Sequence, residues 1–244
     1  MRLLEIQGLR KRFGGLQAVC DVTLSMEQGE VLGLIGPNGA GKTTVFNVIS
    51  GFLPPDAGDI RFRGRSIVGL RPHQICRLGL TRTFQIVRPF AHLSVLENVK
   101  VGALARTASP AQTLAKARAV LQEVGLESKA EVPARELTLA ERKRLELARS
   151  LATDPHLLLL DEVMAGLNAT ETQWIVELIR RINARGVTIL LIEHVMRAVM
   201  SLSNRIAVLN YGQLIAEGPP AQVVNAPNVI EAYLGQEYVR ASHG

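Results

Sequence analysis

The sequence predicts an α/β fold built on a largely parallel sheet, and three observations carry that reading. Short apolar runs of buried-strand type recur at residues 31–35, 157–160 and 187–192, with segments of helical spacing between them. Two of these runs end on paired polar residues, Asp161-Glu162 and Glu193-His194. The first opens directly into Gly36-Pro37-Asn38-Gly39-Ala40-Gly41-Lys42-Thr43, which fits G-x-x-x-x-G-K-[ST], the phosphate-loop pattern. Strands alternating with helices imply crossover connections and hence a parallel sheet.

Taken in order, residues 3–7 and 18–26 read as short strands, and a Gln28-Gly29 turn leads into the strand that feeds the phosphate loop. Phe13 lies between them, before Gly14-Gly15. Its ring suits either ordinary packing or stacking on an adenine, because any base offers a π face. Residues 44–50 carry apolar side chains at helical spacing until Gly51 stops them. Pro54-Pro55 and Gly58 then precede a strand at 60–63, Ile67-Val68, a short helix at 73–78, and the strand Thr81-Arg82-Thr83-Phe84-Gln85, which ends on a polar amide. Between 94 and 152 the pattern becomes mostly helical. Ser94-Val95-Leu96-Glu97 is a capping box, residues 111–124 form a helix ended by Gly125, and Thr138-Leu139-Ala140-Glu141 is a second box. The helix it opens has Leu145, Ala148, Leu151 and Ala152 on its apolar stripe and is broken by Asp154-Pro155. This stretch reads as a helical subdomain inserted in the α/β lobe. Asn168 caps a further helix through Trp174, Leu178, Ile179 and Ile182, closed by Gly186. The tail reads as a hairpin around Asn210-Tyr211-Gly212 and two short helices, the second over 228–234.

With 244 residues, 47% hydrophobic and 20% charged, the chain can bury the core of one large domain or of a domain carrying a subdomain. The formal net charge of +6 raises nucleic acid or an anionic membrane surface as partners. The dense basic region, residues 61–88, lacks the aromatic interleaving of single-strand binders and reads as a solvated basic face near a membrane. Cys20 and Cys76 match no metal-ligand spacing, which argues against a zinc site or a disulfide frame and fits a reducing compartment. Met1-Arg2-Leu3-Leu4-Glu5 turns charged too soon for a signal peptide, and no apolar run reaches bilayer-spanning length, so the chain is expected to be soluble.

In a parallel sheet the strand C-termini share one edge, and the phosphate loop begins there. Glycines let backbone N–H groups curl around phosphate oxygens, with the positive end of the following helix behind them. Lys42 is then placed to reach the β- and γ-phosphates, and the Thr43 hydroxyl to bind Mg²⁺. Asp161 is placed for the metal shell, and Glu162 to orient and deprotonate an attacking water. Gln85 and His194 are candidates to contact that water, the metal or the γ-phosphate.

With these residues in this order, the chain resembles the nucleotide-binding subunits of ABC transporters over essentially its whole length. Residues 36–43 resemble Walker A, Gln85 the Q-loop glutamine, 157–162 Walker B with its catalytic glutamate, 165–168 the D-loop and His194 the switch histidine. Phe13 falls where the family places its adenine-stacking aromatic. Within the family, residues 80–85, 93–99, 165–168 and 230–235 resemble the branched-chain amino-acid importer branch, and a lipopolysaccharide-export branch is similar. The resemblance implies a P-loop NTPase (ABC ATPase) fold over 1–244: a mixed central sheet, an N-terminal antiparallel β subdomain, an inserted helical subdomain at 94–152 ending in the signature helix, and a C-terminal hairpin with short helices at 205–244.

It also implies a cytoplasmic Mg²⁺-dependent ATPase, peripheral on the inner face of the cell membrane. ATP is bound by Phe13, residues 36–43 and Thr44, with Mg²⁺ on Thr43, Gln85 and Asp161, and with Glu162, His194 and Gln85 as the catalytic set. The expected partners are permease subunits, a second ATPase subunit in a hetero- or homodimer, and an extracytoplasmic substrate-binding protein reached through the permease. No nucleic acid is expected: soluble relatives in repair or translation carry two cassettes or a long coiled-coil insertion, and this chain has neither.

The family signature usually reads Leu-Ser-Gly-Gly-Gln and acts on ATP held by the opposite subunit; here it is Leu137, Thr138, Leu139, Ala140 and Glu141. Thr138 keeps the hydroxyl, Ala140 adds a Cβ where close approach to phosphate is wanted, and Glu141 adds a carboxylate. At about 8 Å and an effective dielectric near 20, that charge costs about 2 kcal/mol per unit of phosphate charge, which predicts a weakened opposite site. Asn168 stands where many relatives have Asp, an exchange familiar in the importer branch.

Overall fold

The computed structural model describes residues 2–84 and 89–233. Gln85 and the end of the C-terminal helix expected over 228–234 fall outside the described residues. Strands β1 (Arg2–Phe13) and β2 (Leu16–Glu27) form a long hairpin that continues into β4 (Ala57–Phe62) and β5 (Arg65–Ser66) as an antiparallel sheet of order β2-β1-β4-β5. The second sheet has the order β10-β9-β3-β8-β7-β6 and uses β3 (Val31–Ile35), β6 (Leu80–Arg82), β7 (Leu157–Asp161), β8 (Thr188–Ile192), β9 (Arg205–Asn210) and β10 (Gln213–Gly218). All its pairs are parallel except β9 with β10, the tail hairpin. The mixed central sheet and the antiparallel N-terminal sheet are those the sequence leads one to expect.

The central strands are apolar throughout because both of their faces are covered. Leu158 and Leu160 of β7 and Ile189 and Leu191 of β8 face a core shared with the helices. Leu157, Leu159, Leu190 and Ile192 face the other way, into a core closed by the antiparallel sheet and α1 (Lys42–Ile49). The period-2 alternation of the strand thus divides one leucine run between two cores.

Helices α2 (Pro72–Leu78), α3 (Val95–Ala103), α4 (Pro110–Glu123), α5 (Leu139–Leu151) and α6 (Ala169–Ala184) begin where their end signals stand. Ser94, Thr138 and Asn168 each accept the backbone N–H three residues on, while Glu97, Glu141 and Glu171 reach back to the cap N–H. Three elements depart from the sequence reading. β1 and β2 run further than expected, since their polar outer thirds are held by pairing rather than by apolar alternation. Helix α7 (Met196–Leu202), directly after His194, has no side-chain cap to announce it and is fixed by burying Ala198, Val199 and Leu202. α8 (Pro220–Val223) and a helical stretch at 227–233 close the described chain. No helix of the described residues is long and apolar enough to cross a membrane.

Candidate functional site

The C-terminal ends of β3, β7 and β8 meet at one edge and open onto a cleft of about 360 Å³. Its lining includes Phe13, Asn38, Gly39, Ala40, Gly41, Lys42, Thr43, Thr44, Glu162 and His194. The structure thus brings together most of the residues singled out from sequence. Gly36 and Pro37 are buried beneath them.

The glycines of the loop serve different ends. A Cβ on Gly36 (φ 148°) would lie 2.0 Å from the Leu209 carbonyl oxygen, and one on Gly41 (φ 103°) 2.4 Å from that of Ala18. These two let the loop press against β9 and β2. Gly39 (φ 80°) meets nothing, so its need is conformational and its surroundings stay open for a ligand. The tail hairpin locks the arrangement, with the Gly212 N–H donating to Ala40 O at 2.9 Å and the Cys20 N–H donating to Gly212 O at 2.7 Å.

Lys42 is 7% exposed and donates to the carbonyls of Gly36 and Pro37 at 2.6 and 2.9 Å. Burial lowers its ammonium from the ordinary value, and the carboxylates of Glu162 and Asp161 oppose that shift. Glu162 Oε1 and His194 Nε2 stand 3.0 Å apart at the mouth of the cleft. Glu162 has φ 50°, a left-handed conformation rare for a non-glycine residue. Its main chain is held on both sides: the N–H donates to Ile192 O at 2.9 Å, and Lys143 Nζ donates to its carbonyl at 2.9 Å.

Asp161 ends β7 in full burial, where Oδ2 accepts from Arg82 Nη2 at 2.7 Å. Burial pushes its carboxyl up and the Arg82 bond pulls it down. Oδ1 has no hydrogen-bond partner among the described residues. An orphaned buried carboxylate oxygen within electrostatic reach of Lys42 suits a hard cation. No group of three or more His, Cys, Asp or Glu among the described residues can cage a metal. A single buried carboxylate oxygen with a threonine hydroxyl in the loop is a donor set of the kind Mg²⁺ accepts, since that ion takes one or two protein oxygens and completes its shell with phosphate and water.

Phe13 lines the cleft and is 46% exposed, and Lys11 Nζ lies 5.8 Å from its ring centroid. Thr138, Ala140 and Glu141 are not brought to this cleft. They open α5 elsewhere, and two parts of the sequence reading change there. Ala140 is buried, so its methyl lies inside its own fold rather than crowding the surface. Glu141 pairs with Lys129 at 2.5 Å as well as bonding the Thr138 N–H, so much of its charge is already met. Sequence reasoning missed Arg82, Glu193, Lys143, Leu16 and Tyr211. Arg82, Lys143 and Glu193 each meet a partner distant in sequence, Leu16 and Tyr211 also line the cleft, and only the Glu193-His194 doublet after β8 gave a local signal.

The family profile described as "ABC transporter" matches residues 19–165, and that described as "Branched-chain amino acid ATP-binding cassette transporter" matches residues 213–239. The high-affinity branched-chain amino acid transport ATP-binding protein LivG of Salmonella typhimurium is 44% identical, covering 96% of this chain and 98% of its own. BraF of Pseudomonas aeruginosa, described in the same words, is 44% identical over the same shares. Among solved structures, the ADP conformation of an ATP-binding cassette of an ABC transporter superposes with a TM-score of 0.88 at 32% identity, covering 96% of this chain and 99% of that one.

Proposed function

The chain belongs to the ABC transporter family as an ATP-binding subunit, and we propose that it drives an importer of branched-chain or related amino acids. One observation carries the hydrolytic reading: a buried lysine, a phosphate loop and the Glu162–His194 pair share one cleft at the strand ends. The substrate class follows the relatives, and the match at residues 213–239 favours import of amino acids over lipopolysaccharide export.

ATP lies with its adenine on Phe13 and its phosphates in the loop 36–43, with Thr44 beside them. Lys42 exchanges the two loop carbonyls for phosphate oxygens. Thr43 and Asp161, with Gln85 by resemblance, would hold Mg²⁺, which would supply positive charge against the phosphates. Glu162 accepts a proton from water as the water oxygen bonds to the γ-phosphorus; the bond from that phosphorus to the β,γ-bridging oxygen breaks, and ADP leaves with the electron pair. His194 keeps the Glu162 carboxylate in line. Thr138, Ala140 and Glu141 serve the ATP of a second ATPase subunit in a head-to-tail dimer.

The permease docks beside the γ-phosphate end, where Phe52, Phe84, Phe90, Val101 and Leu104 are exposed. A groove of about 190 Å³ lined by Phe84, Val101, Glu146 and Arg149 suits the apolar face of a short helix. The chain sits on the inner face of the membrane, and a substrate-binding protein acts through the permease. Purification from membranes tests the reading: two permease chains and ATP-driven amino-acid uptake are expected, whereas ribosomes or DNA in their place overturn it.

A further inference from the structure

The chemistry above leaves out Glu193, which stands between its two main actors. It follows β8 directly and is 3% exposed. Its Oε1 accepts the Met164 N–H at 2.7 Å, and its carboxylate also accepts the N–H of His194. One buried side chain therefore gathers an amide two residues past Glu162 and the amide of the histidine that faces it. The left-handed conformation of Glu162 has to be held by its surroundings, because a non-glycine residue does not rest there unaided. The Ile192 and Lys143 bonds hold Glu162 itself, and Glu193 holds the turn that follows.

We propose that Glu193 is a positioning residue for hydrolysis: it ties the turn after Glu162 to the strand end bearing His194, and so sets the 3.0 Å contact between the two. The inference rests on the reading of Glu162 as base. Burial pushes the Glu193 carboxyl up to about 7, against its two N–H bonds, so the site bears a desolvation cost that an apolar residue would avoid. The two acceptor contacts are what an apolar residue cannot supply.

The test uses the assembled transporter. Glu193→Gln keeps an acceptor oxygen, and Glu193→Ala keeps none. We expect the alanine variant to lose about tenfold or more in kcat with KM for ATP within about twofold of the parent, and the glutamine variant to recover most of the rate. Glu193→Leu, which fills much of the volume and has no acceptor atom, takes the place of alanine if that variant does not fold, and the same split is expected. A kcat within twofold of the parent in the variant lacking an acceptor overturns the proposal, as does a rise in KM in step with the loss of kcat. Glu162→Gln runs alongside. Loss there without loss in the Glu193 variants overturns this inference alone; no loss there overturns the base assignment and this inference with it.

Discussion

Arg82 and Asp161 form the most deeply buried ion pair among the described residues, with side chains 6% and 1% exposed. The guanidinium also donates to Asn47 Oδ1 at 2.6 Å and lies over the rings of Phe46 and Phe84, so it joins α1 to the end of β7. Removing one partner of such a pair strands the other charge, at a cost of about 3–5 kcal/mol. Arg82→Met should therefore lower stability by that amount in denaturant unfolding, and Arg82→Met/Asp161→Asn should recover most of it; a parent-like midpoint in the single variant would show the pair to be dispensable. Glu193 gives a pH signature of its own. Its folded-state value of about 7 lies above the ordinary 4.5 chiefly because of burial, with Glu162 adding to the rise and the Met164 and His194 N–H bonds and Lys143 opposing it. The folded state thus holds the proton more tightly, and this stability is full below pH 4.5 and lost as pH rises through 7, about 3 kcal/mol in all. Glu193→Gln cannot ionise, so its stability relative to the parent should increase between pH 5 and pH 8; a pH-independent difference in urea unfolding contradicts the shift. Lys42, Glu162 and His194 were legible because each sits in a local motif. Arg82 and Glu193 were not, because their meaning lies in Asp161 and Met164, which no spacing rule connects to them.

Elements were most legible where their ends carry chemistry. The boxes at Ser94 and Thr138 form as written, and the Asn168 cap is completed to a box by Glu171, because the cap and the Glu three residues on satisfy two N–H groups that the helix leaves bare. α7 has no such end, and β1 loses its alternation at Gly8 (φ 59°), where its register with β2 shifts between Ile6 and Leu9. Its polar stretch is instead fastened by Asp56, which accepts from Lys11 Nζ at 2.8 Å and from the Arg12 N–H at 2.6 Å. The docking surface depends on similar fastening. Buried Asn98 on α3 accepts the Phe90 N–H at 2.9 Å and donates to the Phe90 carbonyl at 3.1 Å, leaving the ring 45% exposed beside Arg149. Phe90→Ala should keep basal ATPase activity and impair ATP-driven transport or assembly with the permease. A variant that assembles and transports like the parent would move the docking surface elsewhere.

At the scale of the whole molecule, the chain presents a cleft and, elsewhere, the start of α5 with Thr138 as its cap; on the proposed reading a complete site takes one from each of two subunits. The altered signature predicts that the site using Thr138, Ala140 and Glu141 is the weaker one. The structure reduces the expected penalty, since Ala140 is buried and Glu141 is paired with Lys129; exposed Leu139 remains, its side chain against Gly166. In a heterodimer we expect neutralising Glu162 to cost more ATPase activity than neutralising the partner's matching glutamate, by less than about tenfold. Equal losses, or a homodimer with two strong sites, would remove the asymmetry.

On the proposed function, this cleft hydrolyses ATP with Glu162 as the base. Turnover and bound nucleotide in the assembled transporter carrying Glu162→Gln test it most directly. We predict ATP retained at parent affinity and hydrolysis slowed by orders of magnitude, because binding groups are untouched and only the proton acceptor is lost. Hydrolysis near the parent rate, with no ATP retained, would contradict the account.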